Sequence, residues 1–489
     1  MMMSFPPDNF VGKKVTVMGL GNFGGQIAVV KYLVSQGAKV TVTDIARADR
    51  LKSALEQIEG LDVTLHLGGH IDKDFSEADL VVVSPAVPKD SRYLRLAEQN
   101  GVDITSEMNM FLDKCNGKVV GITGTVGKST TVSMIESIFS VAADEEFSML
   151  GYGKYYVGGN IGRSLLEELG RIQSNDIVLL ELSSFQLEDF PAIEYSPQIA
   201  VVTNIYPNHL DRHSTFEDYV EAKANIARYQ EPGDFLIVRN DDKNVEGIVE
   251  VAPEEVLRWD FGTGKGENLR VRFCKGKDCS DGVVEYFSEK EDIWRKLLET
   301  KELKVPGEHN VYNSMAAACV GLALGISVDR IREGLLNFRG MPDRLELVGD
   351  FGGVRWYNDS KSTTSQAGIV ALQAFAGEKI IAIAGGYDKE TDLREFASEL
   401  ASRAEVTFCI GQTGKKLAEQ IREAGGRSEY VETLEQAVRL AGESAGQGSV
   451  VLLSPGCASW DMFDNYHQRG EKFKEYVKKY AGKAVVSAS

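Results

Sequence analysis

Short apolar runs that end in glycine or polar residues recur along the whole chain, and segments with helical spacing separate them. Each run has the length of a buried strand. The runs lie at Lys14–Met18, Lys39–Asp44, Ala78–Val83, Val119–Ile122, Ile177–Leu180, Ile199–Val202, Val354–Tyr357, Lys379–Ala384 and Val450–Leu453. Strands that alternate with helices in this way predict an α/β chain built on parallel sheets.

One of these runs leads into a glycine-rich turn at residues 124–130, which reads GTVGKST, and a helix-period segment follows. Backbone N–H groups of such a loop can wrap a phosphate closely. Lys128 would reach the outer phosphates and Ser129 would hold Mg²⁺. The loop is shorter than the eight-residue form, because Ile122 stands where that form has glycine. The context predicts a nucleoside triphosphate site, with a plain tight turn as the alternative.

A second glycine-rich turn, residues 19–24, follows the first strand and reads GLGNFG. Asp44 lies at the end of the next strand, as in the dinucleotide-binding fingerprint. Any nucleotide diphosphate can use the helix N-terminus that such a turn creates. NAD, a nucleotide sugar and a purely structural turn therefore stay open on this motif alone.

Two polar residues follow strands of the same predicted sheet as the phosphate loop. Glu181 ends one strand, and His209 lies a few residues beyond the next. The carboxyl ends of parallel strands meet at one edge, where Mg²⁺ beside a triphosphate needs hard oxygen ligands. A solvated glutamate and a structural histidine are the alternatives.

The helix after His209 carries a lysine on its apolar side. Ser214–Glu217 has the pattern of a capping box, and Phe216, Val220, Lys223 and Ala227 then share one face. Lys223 either extends to the surface or is buried, and a buried lysine has a pKa low enough to react.

The chain forms three successive α/β units, because 489 residues are too many for one core. We predict a Rossmann-like N-terminal domain (1–106), a central domain with a parallel sheet of the P-loop ATPase type (107–340), and a Rossmann-like C-terminal domain (341–489). Between Gly262 and Lys304 the pattern breaks into short alternating pieces, which indicates a small β excursion.

Amino-acid composition limits the kinds of partner that the protein can bind and the cellular compartment that we expect. A net charge of −18 argues against non-specific binding to nucleic acid or anionic membranes. The six scattered cysteines are typical of reduced thiols. Neither a signal peptide nor an apolar stretch of about twenty residues is visible. We therefore expect a soluble, cytoplasmic protein with small-molecule substrates.

Six motifs in order make the chain similar to the Mur ligase family. They are GTVGKST, ELSSFQLE (Glu181–Glu188), NIYPNHLDRH (Asn204–His213), PGEHN (Pro306–Asn310), NDSKST (Asn358–Thr363) and LSPGCASWDMF (Leu453–Phe463). The resemblance implies an ATP-dependent, amide-forming ligase of peptidoglycan precursor synthesis that releases ADP and phosphate. The second and last motifs indicate the member that adds D-glutamate to UDP-N-acetylmuramoyl-L-alanine through an acyl phosphate. The choice between D- and L-glutamate stays open.

The resemblance also implies a role for individual residues, and a monomer. UDP rather than NAD would contact Asn22, Phe23, Asp44 and Ser84, with Asn160 near the substrate. ATP would contact Gly124, Thr125, Gly127, Lys128, Ser129, Thr130, Asn310, Asn313, Arg344 and Asp359. The amino acid would contact Lys361, Thr363, Lys389, Ser459 and Tyr466.

Two Mg²⁺ ions and a CO₂-derived carbamate on Lys223 complete the implied cofactors. Ser129 would bind the first ion; Glu181, His209 and the carbamate would bind the second. Lys128, Glu181, His209 and Lys223 are thus the implied catalytic residues. Two positions depart from the family pattern: Val126 replaces an asparagine, and Asn208 replaces an acidic residue.

Four alternatives remain. A folylpolyglutamate-synthase-like ligase would lack the first domain. A sibling ligase would use another amino acid, although the Asp-Asn-Pro-Arg signature of the diaminopimelate member is absent. A sensor that hydrolyses ATP slowly would show no glutamate-dependent phosphate release. A dehydrogenase would bind NAD(H).

Overall fold

A computed structural model describes residues 3–21, 24–143, 145–209, 212–276, 282–388 and 392–484, with side chains as far as residue 481. Twenty strands form three sheets within these residues. The strands are β1 Lys14–Met18, β2 Lys39–Asp44, β3 Val63–Leu67, β4 Leu80–Val83, β5 Asp103–Ser106, β6 Lys118–Thr123, β7 Tyr155–Gly159, β8 Ile177–Glu181, β9 Ile199–Val202, β10 Phe235–Arg239, β11 Leu257–Gly262, β12 Leu269–Cys274, β13 Val283–Ser288, β14 Ile293–Glu299, β15 Glu346–Phe351, β16 Val354–Asn358, β17 Lys379–Ala384, β18 Ala404–Cys409, β19 Ser428–Tyr430 and β20 Ser449–Leu453.

Seventeen α-helices connect these strands in the described part of the chain. They are α1 Gly25–Ser35, α2 Lys52–Gln57, α3 Lys73–Ser76, α4 Arg92–Gln99, α5 Glu107–Lys114, α6 Lys128–Ala142, α7 Glu146–Met149, α8 Ser184–Leu187, α9 Phe216–Ala224, α10 Glu246–Val249, α11 Glu308–Ala323, α12 Val328–Asn337, α13 Ser365–Gln373, α14 Arg394–Arg403, α15 Gly414–Glu423, α16 Leu434–Ser444 and α17 Tyr466–Ala484. None of the described helices combines the length and the apolar character that crossing a bilayer requires.

The first sheet is wholly parallel, in the order β3-β2-β1-β4-β5. Its strand order reverses between β1 and β4, which opens a crevice at their carboxyl ends. Helix α1 buries Ile27, Val30 and Leu33 in the same apolar cluster as Val15 and Val17 of β1. The predicted Rossmann-like topology is confirmed.

The central sheet has the order β14-β13-β12-β11-β10-β9-β6-β8-β7. From β12 to β7 the strands are parallel, whereas β13 pairs antiparallel with both β12 and β14. The parallel sheet predicted for this domain is confirmed, and the antiparallel pairing is confined to the two pairs that β13 makes. The β excursion expected between Gly262 and Lys304 is confirmed, because Leu269, Val271 and Phe273 alternate inward on β12.

The third sheet has the order β15-β16-β20-β17-β18-β19 and is parallel except for β15. Apolar clusters cover both of its faces, one around Phe396 and the other around Phe473. The chain separates into two compact units, Met1–Thr300 with Val311–Leu335 and Lys301–Asn310 with Leu336–Ser489. The boundaries predicted at 106/107 and 340/341 stay predictions.

One local prediction is wrong by one residue. Helix α9 is capped by Thr215, whose hydroxyl accepts from the backbone of Asp218, and not by Ser214 with Glu217. Both pairs fit the capping-box pattern, so the sequence could not choose between them. Helix α11 begins at Glu308, so Asn310 and Asn313 both lie on it.

Candidate active site

The phosphate loop connects β6 to α6 and depends on two glycines. Gly127 caps α6 with a left-handed φ of 87°, and Gly124 has a φ of 143°. A Cβ atom on Gly124 would lie 2.0 Å from Thr203 Oγ1, and one on Gly127 would lie 2.4 Å from Asn313 Oδ1. No larger residue fits at either position, so the two glycines allow the tight turn between β6 and α6.

The segment after β9 holds this loop in shape. Asn204 pairs twice with Val126: its Oδ1 accepts from Val126 N at 3.0 Å, and its Nδ2 donates to Val126 O at 2.9 Å. Thr203 Oγ1 donates to the same carbonyl at 2.7 Å. The Val126 side chain is 53% exposed. The departure at position 126 thus leaves both backbone polar groups of Val126 hydrogen-bonded.

Lys128, at the start of α6, folds back over the loop. Its Nζ donates to the carbonyls of Gly124 at 2.8 Å and Thr125 at 3.0 Å. The ammonium group is therefore held beside the loop amides. Positive charge and N–H donors together form a suitable site for a phosphate.

A carboxylate, a hydroxyl and an amide meet beside the loop. Glu181 is 3% exposed at the end of β8, and Ser129 Oγ donates to its Oε2 at 2.5 Å. Asn160 Nδ2 donates to Glu181 Oε1 at 2.9 Å. The oxygens of Ser129 and Glu181 suit Mg²⁺, which takes one or two protein ligands and completes its shell with water and phosphate.

Lys223 is buried, as its place on the apolar face allowed, with 1% of the residue exposed. Its Nζ donates to Thr123 Oγ1 and to Gly124 O, both at 3.1 Å, and lies 4.9 Å from the centre of the Tyr219 ring. Burial lowers the pKa of Lys223 well below its usual value, and the charge of Lys128 lowers it further, whereas Glu181 opposes the shift. The lowered pKa favours the neutral amine, which is the reactive form.

His209 lies among aromatic rings at the end of the loop that follows β9. It has a left-handed φ of 54°, and its ring centre is 5.2 Å from that of Phe185 and 6.4 Å from that of Tyr219. Its backbone N donates to Asn208 Oδ1 at 2.9 Å, so the Asn208 side chain supplies an acceptor there. In the described residues, no three His, Cys, Asp or Glu side chains are grouped for a metal ion.

Sequence reasoning missed a polar network next to His209. His213 Nε2 lies 3.0 Å from Ser184 Oγ, and its Nδ1 lies 3.1 Å from Glu188 Oε1. The Phe185 ring stacks on the His213 ring at 5.3 Å. Burial, followed by the charge of His209, lowers the pKa of His213.

Arg212 joins the first sheet to this network. Its guanidinium lies 4.5 Å above the Phe185 ring and donates to the carbonyls of Pro85 at 2.9 Å and Ala86 at 3.3 Å. The loop after β4 is thereby attached to the central sheet. The bonded residues are more than a hundred positions apart in the sequence. The only signal for Arg212 in the sequence is its place in the motif NIYPNHLDRH.

At the crevice of the first sheet, Asp44 supports the glycine-rich turn. It is 6% exposed, and its two oxygens accept from the backbone of Gly21 at 3.1 Å and Ala46 at 2.7 Å. A Cβ on Gly19 would meet Ser84 Cβ at 3.1 Å, which places Ser84 directly against the turn. Asn22 and Phe23 lie outside the described residues.

The candidate ATP residues of the second unit differ in burial. Asp359 is 2% exposed and accepts from Ser454 Oγ at 2.8 Å and from Ser362 Oγ. Burial raises the pKa of Asp359 to about 6, although these hydrogen bonds oppose the shift. Arg344 is exposed. Asn310, in the first turn of α11, donates from Nδ2 to Pro306 O at 2.6 Å, in the segment before the helix.

The candidate amino-acid residues lie at the carboxyl ends of β16 and β20 and at the start of α17. Lys361 is exposed, Thr363 is half-buried and Ser459 is 2% exposed. The carbonyl of Tyr466 accepts from Ser360 Oγ at 2.8 Å. Lys389 lies outside the described residues. The two strand ends are thus adjacent to the first turn of α17.

A buried arginine, also missed from the sequence, holds these segments together. Arg469 is 1% exposed and donates to Ser360 Oγ at 3.0 Å, Ser360 O at 2.8 Å, Cys457 O at 3.1 Å and Ala458 O at 3.2 Å. Burial lowers the pKa of Arg469 to about 10, so it stays charged at neutral pH. Its planar group fixes both strand-end loops against α17.

Family models match three consecutive parts of the chain. The Mur ligase MurD-like N-terminal domain matches residues 13–106, the Mur ligase middle domain matches 122–321, and the Mur ligase glutamate ligase domain matches 343–457. Crystal structures with a similar fold include two from Thermotoga maritima. The UDP-N-acetylmuramate–alanine ligase has a TM-score of 0.57 at 22% identity, covering 96% of this chain and 99% of its own. A MurF ligase in complex with ADP has a TM-score of 0.52 at 18% identity, covering 99% and 98%.

Curated relatives match over almost their full length. A Roseiflexus protein named UDP-N-acetylmuramoylalanine–D-glutamate ligase is 36% identical over 482 residues, which cover 96% of this chain and 99% of the relative. A protein of the same name from Pelotomaculum thermopropionicum is 37% identical, with coverages of 96% and 98%. The predicted three-domain α/β architecture and the predicted family are thereby confirmed: the chain belongs to the Mur ligase family.

Proposed function

We propose that this enzyme joins D-glutamate to UDP-N-acetylmuramoyl-L-alanine, with ATP converted to ADP and phosphate, in the cytoplasmic synthesis of peptidoglycan precursors. The observation that carries the proposal is the phosphate loop with Lys128, beside which Ser129 and Glu181 form an oxygen pair. The names of the curated relatives support the choice of substrates.

The first step transfers the γ-phosphoryl group of ATP to the terminal carboxylate of the sugar nucleotide. A carboxylate oxygen attacks phosphorus, the bond to the ADP oxygen breaks, and an acyl phosphate forms. Lys128 and the loop amides stabilise negative charge on the moving group. The glutamate amine then attacks the acyl carbon, loses a proton, and inorganic phosphate leaves.

Magnesium fits the residues beside the loop, where it would neutralise charge on the phosphates. Ser129 and Glu181 are the ligands that their contact favours. We assign His209 to a second ion as part of the same proposal. The hydrogen bond from Asn160 keeps Glu181 Oε1 oriented, which is a positioning role for that asparagine.

Lys223 is the proposed carbamate. Its neutral amine would attack CO₂, form an N–C bond and release a proton, giving an anion. Low pKa and burial support this chemistry, because only the neutral amine is nucleophilic. A buried anion needs a positive partner, and the nearby charge of Lys128 together with Mg²⁺ would supply it.

The two remaining substrates are assigned to the other sheets. The sugar nucleotide would bind at the crevice of the first sheet, beside Asp44 and Ser84, with Asn22 and Phe23 as further contacts. The amino acid would bind Lys361, Thr363, Lys389, Ser459 and Tyr466. Asn310, Asn313, Arg344 and Asp359 are assigned to ATP, and the enzyme is proposed to act as a monomer.

Phosphate release tests the proposal directly. Purified enzyme with ATP, Mg²⁺ and UDP-N-acetylmuramoyl-L-alanine should release phosphate only when D-glutamate is added. L-Glutamate, diaminopimelate, lysine and alanine serve as matched alternatives. Release with one of those and not with D-glutamate would make the chain a sibling ligase, and release without any amino acid would make it an ATPase.

A further inference from the structure

Asp343, in the turn between α12 and β15, has an unusual backbone and no exposure. Its φ is 61°, Leu345 two residues on has a φ of 44°, and Asp343 is 0% exposed. Left-handed backbone at residues other than glycine is unfavourable and persists only where the surroundings hold it. The side chain and carbonyl of Asp343 show what holds it.

Asp343 joins the loop after β16 to α17. Its carbonyl accepts from Lys361 N at 2.8 Å, and its Oδ1 accepts from Asn358 Nδ2 at 2.9 Å. A Cβ on Gly470 of α17 would lie 1.7 Å from the same Oδ1. The helix therefore packs directly on the carboxylate, and only glycine fits at that contact.

The second oxygen of this carboxylate faces a histidine. Oδ2 is buried and receives no aligned hydrogen bond from the described residues, but His467 Nδ1 lies 2.5 Å from it. A buried polar oxygen without a partner is costly, and the His467 ring nitrogen is the group that faces Oδ2. The His467 side chain itself is 62% exposed, and its ring centre is 4.5 Å from that of Tyr466.

We propose that Asp343 and His467 are a positioning pair for the incoming amino acid. The pair holds the first turn of α17, which carries Tyr466, against the loop that carries Lys361. This inference rests on the proposed function, in which Tyr466 and Lys361 contact the amino acid. Neither Asp343 nor His467 touches substrate, and each acts through its neighbour.

Because Arg469 already attaches α17 to the rest of the domain, the Asp343–His467 pair should affect the position of the first turn of α17 and not the folding of the domain. Its four hydrogen bonds already tie α17 to the two strand-end loops in the buried layer. The Asp343–His467 contact fixes the outer end of the same helix. Loss of the Asp343–His467 contact should leave the sheet intact. Tyr466 and Lys361 should then be held less precisely relative to each other.

The test uses the exposed partner, because changing it leaves the buried layer alone. His467→Gln keeps a polar side chain of similar size and removes the ring nitrogen that faces Asp343 Oδ2. The KM for D-glutamate should rise about tenfold, while kcat and the KM values for ATP and the sugar nucleotide stay within about twofold. His467→Arg again offers a strong N–H donor to the carboxylate and should recover most of the loss.

A double-mutant cycle checks the coupling. Asp343→Asn combined with His467→Gln should raise the glutamate KM no further than the larger single effect, because both changes remove one interaction. Lys479→Ala is the matched control, since it breaks the ion pair between Lys479 and Glu435 (2.6 Å) farther along α17. That variant should keep the wild-type glutamate KM.

Two results would overturn the pair. One is a glutamate KM for His467→Gln within about twofold of wild type, and the other is an equal rise in the KM of all three substrates. Wild-type enzyme that releases no phosphate with any amino acid would overturn the proposed function together with the pair. If wild type is active and His467→Gln has an unchanged glutamate KM, the positioning pair is overturned and the proposed function stands.

Discussion

Lys223 in the central domain and Arg469 in the second unit are both basic side chains with 1% exposure. Neither has a carboxylate oxygen within 4.0 Å among the described residues, so each depends on neutral acceptors. Lys223 has two such acceptors and Arg469 has four hydrogen bonds. The two side chains are therefore equally buried, but Arg469 makes more hydrogen bonds that offset the cost of burial.

The outcome differs because the two groups start from different pKa values. Burial brings the pKa of Lys223 well below 10.5, whereas the pKa of Arg469 falls from 12.5 only to about 10. The lowered pKa favours the uncharged form of the lysine, which is the nucleophilic form. The arginine has kept its charge and serves as a rigid connector. Burial creates reactivity only where the side chain can release a proton.

The largest effect should come from Lys223→Ala. We expect a loss of turnover on the order of a thousandfold, because the variant cannot form the proposed carbamate, which would help hold the metal. Formate or acetate should restore part of the rate by filling the space beside Thr123 and Gly124. Lys223→Arg should not respond, since it keeps a positive charge there.

Initial rates of phosphate release with increasing acid check this prediction. Lys243→Ala, which changes an exposed lysine of the same domain, is the control and should behave as wild type. An alanine variant that is fully active without added acid would make Lys223 a structural residue and would remove the contrast with Arg469.

Lys128→Ala should be next in size. The loss of the loop cation should cost about 2–4 kcal/mol of transition-state stabilisation. Binding of UDP-N-acetylmuramoyl-L-alanine, measured by calorimetry, should stay nearly unchanged, because that ligand is assigned to the first sheet. A variant that keeps roughly a tenth of the wild-type rate or more would contradict the role given to the loop.

Arg469→Met should lower stability by about 3 kcal/mol, because several buried carbonyl and hydroxyl acceptors lose a charged donor at once. Arg469→Lys should recover little, since a lysine cannot reproduce the planar fork. Thermal unfolding monitored by circular dichroism measures both. If Arg469→Lys unfolds at the wild-type temperature, the fork geometry is not what the site requires.

The smallest effect extends the comparison to a buried anion. The pKa of Asp359 is about 6 in the folded protein and 3.8 without burial. The folded state thus binds the extra proton between these values, and stability should fall by roughly 2–3 kcal/mol as the pH rises through that window. Asp359→Asn should remove this slope. Urea unfolding of wild type and Asp359→Asn at pH 4 and pH 7 measures this change in stability. The same pH dependence in both proteins would show that Asp359 is not its source.

The sequence predicted what depends on local pattern. The phosphate loop, Glu181 at a strand end and the buried side of Lys223 all follow from strand ends and helical periodicity. Links between distant segments could not be read in this way. Arg469 contacts residues 109 positions away, and Arg212 reaches a loop 127 positions away. No spacing rule covers contacts that the tertiary fold alone creates.

Asp44 shows a further limit. Its place after β2 was predicted from the fingerprint, but the direction of its carboxylate depends on the turn it faces. Both oxygens accept from backbone N–H groups of neighbouring turns. The same sequence position is therefore compatible with supporting the turn and with contacting a ligand, and the pattern cannot separate them.

Strand β14 ends the central sheet, and its outer side has no neighbouring strand among the described residues. Arg295 and Lys296 on this strand form ion pairs with Glu291 and Glu299. Charged side chains on an edge strand hinder pairing with the edge of another molecule. The antiparallel extension therefore ends the longest sheet on a strand whose charged side chains oppose edge-to-edge pairing with another sheet.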